Sequence, residues 1–250
     1  RMTKTGIELL YEVVGKGTDI LSRRKAGEML DVIGPLGTGF ETSHVTRYTS
    51  HVLVAGGIGV APLLALAEYL VDSKQVTVDR KKIYVLIGAC RKEHLLCEKD
   101  FNKLGVRVTV ATEDGSKGHR GLVTDLLREA VIARHEVPKQ SQNSRLLRRR
   151  FTPPRNDVAT IYACGPVAML KEVARIAKQN SAKCQVSLEE RMACGVGVCL
   201  GCPVKVRAQN RFPSGKGTVP EGNCPGREMV YEYKMVCKDG PVFNAEEIIW

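Results

Sequence analysis

The chain has 250 residues, 43% hydrophobic and 26% charged, which suits a soluble globular protein of one large domain or two smaller ones. No apolar run approaches the ~20 residues needed to span a bilayer, so no membrane partner is expected. A net charge of +11 would suit an acidic partner, but with 5% aromatic residues and no base-stacking motif nucleic acid is not an expected ligand.

Residues 1–45 read as strands and turns. Ile7–Val14 has the make-up of a strand, Gly15–Thr18 of a turn, Ile20–Lys25 of a short helix and Met29–Ile33 of a second strand ending in Gly34-Pro-Leu-Gly-Thr-Gly39. This opening looks like the middle of a β-domain, as though the sequence begins internally. Residues 46–190 change character. Strands are expected at 51–55, 82–88, 106–112, 159–163 and 184–188, and helices at 62–71, 93–104, 121–133 and 166–179. That alternation implies a parallel sheet covered by helices on both faces, with its ligand beyond the carboxyl ends of the strands.

Residues 135–157 interrupt the rhythm. Pro138, Pro153 and Pro154 flank Arg145, Arg148, Arg149, Arg150 and Arg155. The stretch reads either as a basic docking arm or as a solvated insertion. Residues 191–250 form a last module, with a strand at 229–236 and a loop at 208–227.

Three strand ends carry candidate nucleotide chemistry. Gly56-Gly57-Ile58-Gly59-Val60-Ala61-Pro62 leaves a strand and opens a helix, where a phosphate would meet free N–H groups and a positive helix end. Its spacing is not that of the G-x-G-x-x-G fingerprint, and a tight strand–helix turn would look the same. Glu113 and Asp114 close another strand. An acid there can accept from a ribose diol and repel a 2′-phosphate, favouring NADH over NADPH, or it can simply cap a turn. At Cys164-Gly165-Pro166 small side chains would leave room for a nicotinamide ring, although a free cysteine is also a common small core residue. Cys90, Cys97 and Cys184 read as structural. No Ser-His-Asp array, HExxH or Walker A sequence is present, so no catalytic acid–base residue is assigned.

Nine cysteines without a recognisable signal peptide suggest a reducing, cytoplasmic setting, where cysteines bind metal more often than they form bridges. Cys194, Cys199 and Cys202 have the C-x4-C-x2-C spacing of a plant-type [2Fe–2S] site, which needs a fourth thiolate downstream. Gly195, Gly197 and Gly201 let bare backbone turn around such a cluster. A zinc ribbon would favour two paired C-x2-C knuckles, of which one is present; zinc and disulfides remain the alternatives. For the fourth ligand Cys237, after a strand and before Lys238-Asp239-Gly240, is preferred to Cys224, which lies in a Pro/Gly-rich loop.

Taken in order, these motifs resemble one family. They are Gly15-Lys-Gly-Thr18, Gly34-Pro-Leu-Gly-Thr-Gly-Phe40, Gly56 to Pro62, Thr112-Glu-Asp-Gly-Ser116, Ala163-Cys-Gly-Pro166, Leu188-Glu-Glu-Arg-Met-Ala-Cys194, the cysteine run and Val236-Cys-Lys-Asp-Gly-Pro-Val-Phe243. The chain resembles the electron-transfer subunits of class B dihydroorotate dehydrogenase, within the ferredoxin-reductase superfamily. The resemblance implies a mixed α/β and β architecture. Residues 1–45 would be the C-terminal part of an FAD-binding β-barrel, 46–190 an NAD-binding α/β domain and 191–250 a [2Fe–2S] module. It implies FAD lined by Leu10, Tyr11, Glu12, Gly17 and Thr18, and a cluster held by Cys194, Cys199, Cys202 and Cys237. It also implies an FMN-containing catalytic subunit as partner in a heterotetramer. Electrons from dihydroorotate would pass by that FMN, the cluster and FAD to NAD, a step of pyrimidine biosynthesis.

Three departures from the family pattern stand out. Its Arg-Pro-x-Ser segment would fall before residue 1. Glu12 follows Tyr11 where the family usually has Arg. The 34 residues between Cys202 and Cys237 exceed the usual spacing. Two other readings fit part of the pattern. One is the small subunit of a related NAD(P)H-dependent ferredoxin or sulfide oxidoreductase, a group in which one cluster ligand is often Asp. The other is a degenerate structural electron carrier that has lost FAD.

Overall fold

The structure, a computed structural model, describes residues 6–43, 45, 49–72, 78–132, 159–208 and 231–250. Cys224 and the arginines of the 135–157 insertion lie outside the described residues.

The centre is a seven-stranded sheet. In chain order its strands are β1 (Ser50–Gly56), β2 (Ile83–Ala89), β3 (Arg107–Thr112), β4 (His119–Arg120), β5 (Ala159–Cys164), β6 (Lys183–Ser187) and β9 (Val242–Asn244). In space the order is β4-β3-β2-β1-β5-β6-β9, parallel except for β9, which runs antiparallel to β6. Two further strands, β7 (Pro203–Arg207) and β8 (Tyr231–Met235), make a separate antiparallel pair.

Strand β1 is buried from end to end, as an apolar strand between two helical layers must be. Val52 and Val54 face one layer with Leu126 and Leu127 of α4 (Val123–Ile132) and Leu170 and Val173 of α5 (Val167–Gln179). Leu53 and Ala55 face the other, with Leu63, Ala67 and Leu70 of α2 (Val60–Asp72) and Phe101 of α3 (Glu98–Lys103). Each such fully buried aliphatic side chain contributes ~1.5–3 kcal/mol. The module after β6 joins the first of these cores through Cys202, Val236, Cys237, Phe243 and Ile248.

The five expected strands of this region form within a residue or so of their expected ends. The helix expected at 93–104 is broken. A 3-10 turn at Lys92–His94 precedes α3, and Cys97, at φ 56, leaves the right-handed region before the helix starts. Residues 6–43 differ more. Neither 7–14 nor 29–33 is paired in a named strand, although strands are expected there. Among the described residues no strand runs alongside either, and Ile7, Leu9, Val13, Met29 and Val32 are exposed. A strand exists only by its ladder, and among the described residues neither run lies in one, Ile7 making no more than an isolated bridge. The turn at 15–18 and the helix at 20–25 are replaced by α1 (Lys16–Ser22), which starts early because Thr18 Oγ1 accepts from the Val14 and Gly15 N–H groups at 3.0 and 3.2 Å.

Candidate functional site

Strand order reverses at β1: β2 lies on one side and β5, later in the chain, on the other. Open parallel sheets bind ligands at such a point, beyond the carboxyl ends of the strands. Gly56-Gly57-Ile58-Gly59 leaves β1 there and Cys164-Gly165-Pro166 leaves β5, so two of the sequence motifs meet in one crevice.

Their glycines have different jobs. A Cβ on Gly59 would lie 2.3 Å from the Cys164 carbonyl oxygen, and one on Gly56 2.8 Å from Met169 Sδ. Both glycines let the two strand ends touch. Gly57 has φ +56 and nothing within 4 Å of its Cβ position, so it faces open space. Of the three it is the one exposed where a phosphate would sit. Met169, from the first turn of α5, spans the junction and also packs on Gly165. Sequence reasoning missed it, because only the fold brings it to β1. Cys164 is buried, which pushes its thiol up to about 11, so it is a neutral small side chain at pH 7.

At the end of β3 the two acids separate. Asp114 accepts from the Ser116 N–H at 2.9 Å and the Ser116 hydroxyl at 2.6 Å, and these bonds hold its carboxyl below the usual range. Asp114 is therefore a turn residue. Glu113 is exposed, and its Oε1 accepts only a long 3.5 Å bond from the Cys90 thiol. The loops after β2 and β3 are tied together, since Ser116 Oγ accepts from the Lys92 N–H at 2.9 Å.

Leu10, Tyr11, Glu12, Gly17 and Thr18 lie along the extended segment and α1. All but the half-buried Thr18 are exposed. Glu12 reaches the neighbourhood of Glu189, just past β6. Burial first, and the Glu12 charge second, raise the Glu189 carboxyl above the usual range. Glu189 in turn acts on Cys164. Nearby, Gln185 clasps the backbone of Glu41, accepting from its N–H at 2.8 Å and donating to its carbonyl at 3.0 Å.

The four cysteines form two pairs. The Cys199 N–H donates to Cys194 Sγ at 3.5 Å, and the Cys237 N–H donates to Cys202 Sγ at 3.4 Å. The charges of Cys202 and Cys194 both act on the Cys237 thiol and help raise it, after burial, above its ordinary value. Among the described residues no three His, Cys, Asp or Glu side chains converge on one ion, and all eight cysteines there are free. A tetrahedral zinc needs four donors around a point. A dinuclear cluster needs two thiolates at each of two irons, and two pairs fit that demand. The Cys199 N–H bond, with smaller contributions from the Val196 and Val198 N–H groups and the Cys199 thiol, holds the Cys194 sulfur down to about 6, a thiolate at neutral pH.

Residues 53–175 match the family described as oxidoreductase NAD-binding domain. Residues 189–216 and 223–249 match the iron-sulfur cluster binding domain of dihydroorotate dehydrogenase B. Among curated proteins, the chain is 38% identical over 242 residues to the dihydroorotate dehydrogenase B (NAD(+)) electron transfer subunit of Caldanaerobacter subterraneus subsp. tengcongensis, covering 97% of this chain and 75% of that one. It is 34% identical over 245 residues to the same-named subunit of Desulforamulus reducens, covering 98% and 74%. Among solved structures, one reported for an NADH-dependent reduced ferredoxin-NADP oxidoreductase superposes with a TM-score of 0.65 at 29% identity, covering 96% of this chain and 67% of that chain.

Proposed function

The chain belongs to the family of dihydroorotate dehydrogenase B electron transfer subunits, and from that premise we propose that it is an oxidoreductase subunit carrying electrons between a catalytic partner and NAD. The partner would be an FMN-containing subunit that oxidises dihydroorotate, the assembly a heterotetramer and the setting cytoplasmic. The cofactors are a [2Fe–2S] cluster, FAD and NAD. When bound, they supply hydride chemistry at the nicotinamide, exchange between two-electron and one-electron steps at the flavin, and single-electron passage at the cluster.

Each part of the chain has a task in this reading. Cys194, Cys199, Cys202 and Cys237 hold the cluster, two thiolates to each iron. The Gly57 turn and the start of α2 offer N–H groups to the dinucleotide phosphates. Glu113 accepts from the ribose hydroxyls and disfavours a 2′-phosphate. Cys164, Gly165 and Pro166, backed by Met169, leave a shallow neutral floor for the nicotinamide. Leu10, Tyr11, Glu12, Gly17 and Thr18 contact FAD from the side facing Glu189.

The observation that carries the reading is the pairing of Cys194 with Cys199 and of Cys202 with Cys237 in a module that shares its core with the nucleotide-binding sheet. An anaerobic visible spectrum with iron, sulfide and flavin analysis of the purified chain tests it. Two irons, two sulfides and one FAD per chain, reducible by NADH, are expected. Zinc without sulfide would refute the cluster. Two irons without flavin would leave an electron carrier that has lost its nicotinamide partner chemistry. The 29% identical structure favours a second reading, a reductase subunit serving ferredoxin. Reduction of ferredoxin rather than of an FMN-containing partner would select it.

A further inference from the structure

The cysteine loop 194–201 has no ladder or helix of its own. Its N–H groups nevertheless have to keep fixed directions. That of Cys199 donates to the Cys194 sulfur at 3.5 Å, while those of residues 196 and 198 act on the same sulfur and that of Gly197 on the Cys237 sulfur. A loop whose peptide planes are free to turn would give those N–H groups to water instead. Something outside the loop must hold it.

Two side chains lie against it, each over a glycine in the left-handed region. Gly195 has φ +72, and a Cβ there would lie 3.1 Å from Leu36 Cδ1. Gly197 has φ +80, and a Cβ there would lie 2.9 Å from Lys238 Cδ and 3.1 Å from Lys238 Cβ. The Lys238 stem thus crosses the peptide that serves Cys237, the residue before it in sequence. Leu36 is itself anchored. A Cβ on its neighbour Gly37 would lie 2.3 Å from the Gly240 carbonyl oxygen, and the Thr38 N–H donates to that same oxygen at 2.5 Å. The remaining side chains of the loop, Val196, Val198 and Leu200, point outward and are exposed.

We propose that Lys238 and Leu36 are positioning residues that latch the cysteine loop at Gly197 and Gly195, and that Lys238 does so by its aliphatic stem rather than its charge. The inference rests on the cluster reading above. It adds that retention of the cluster depends on two side chains that are not ligands. Long cationic side chains cover apolar or backbone surface with their methylenes in this way while the ammonium stays in water. Without the latch the loop opens more often, and each opening exposes the thiolates to competing ligands.

The test uses the full chain with its cluster. Lys238→Ala, Lys238→Met and Leu36→Ala are compared with wild type for anaerobic bleaching by excess iron chelator, and for the electron paramagnetic resonance line shape after reduction. Bleaching at least about fivefold faster is expected for the two alanine variants, with an altered line shape. Lys238→Met keeps the stem and is expected within twofold of wild type. Lys238→Met as fast as Lys238→Ala would overturn the stem as the latch. Alanine variants within twofold of wild type would overturn the latch entirely, leaving the cluster reading intact. A wild type without iron and sulfide would overturn the cluster reading and the latch with it.

Discussion

Gly59→Ala isolates the contact that joins the two halves of the nucleotide crevice. Gly59 has no positive φ, so alanine's backbone preference is not at issue. The added methyl would meet the Cys164 carbonyl oxygen at 2.3 Å, the Cys164 carbonyl carbon at 2.5 Å and the Gly165 nitrogen at 2.7 Å. All three are backbone atoms at the end of β5. No rotamer change relieves them, so the β1 and β5 ends must part by about 1 Å to reach ordinary contact. Overpacking of this kind costs ~1–3 kcal/mol, and a backbone wall puts the cost near ~3 kcal/mol. For a chain of this size that corresponds to a fall in Tm of ~6–12 °C. NADH-dependent reduction should fall in parallel, because Cys164 and Gly165 move. Gly57→Ala is the comparison. It meets no atom, but φ +56 makes it strained by ~1 kcal/mol. Thermal unfolding by circular dichroism, with NADH titration of the same samples, reads both. A Gly59→Ala protein melting within 2 °C of wild type would refute the argument that this glycine exists for contact.

Other outcomes follow from the same geometry. Cys199→Ser is expected to lose iron and sulfide while Cys224→Ser keeps both; iron loss only in the second would reverse the ligand assignment. Glu113→Gln should raise the NADPH-to-NADH ratio of kcat/KM by about tenfold, worth ~1.4 kcal/mol, whereas Asp114→Asn should chiefly loosen the 112–118 turn; equal effects would contradict their separate roles. Glu172 accepts from Arg175 and Arg128, which hold its carboxyl down to about 2 against an ordinary 4.5. A lowered acid stabilises the fold above its unfolded value and loses that contribution as pH falls through its folded one. Glu172→Gln should therefore cost ~0.5–1 kcal/mol at pH 7, and the gap from wild type should close between pH 4.5 and about 2; a gap that stays constant would exclude the ion pair as its source. The isolated chain should not oxidise dihydroorotate, since its sequence carries no recognisable acid–base motif for that step, and turnover without a partner would overturn this.

The legible parts of the fold were those whose cause is local. Strand β1 announces itself because burial on both faces demands an unbroken apolar run between turn residues. The iron-sulfur domain is legible because cysteine spacing in a tight loop is itself sequence spacing. Ile7–Val14 misled because its composition suits a strand, while a strand also needs a neighbour. Glu113 and Asp114 could not be told apart until Ser116 was seen to occupy Asp114. Met169, Gln185, Glu189, Leu36 and Lys238 were beyond reach for one common reason. Each acts on a residue far along the chain or across a turn whose geometry no periodicity encodes. Strand β9, three residues long, is too short for alternation to register.

That short strand decides how the electron path is built. The chain leaves the sheet at the end of β6, makes the whole cysteine module, and returns as β9 hydrogen-bonded to β6 itself. Cys194 follows the first anchor and Cys237 precedes the second by a few residues each. An excursion stitched at both ends to one strand cannot swing between donor and acceptor as a tethered carrier does. Held to the nucleotide sheet by that pairing and by a shared core, the module is a relay fixed in place rather than a shuttle.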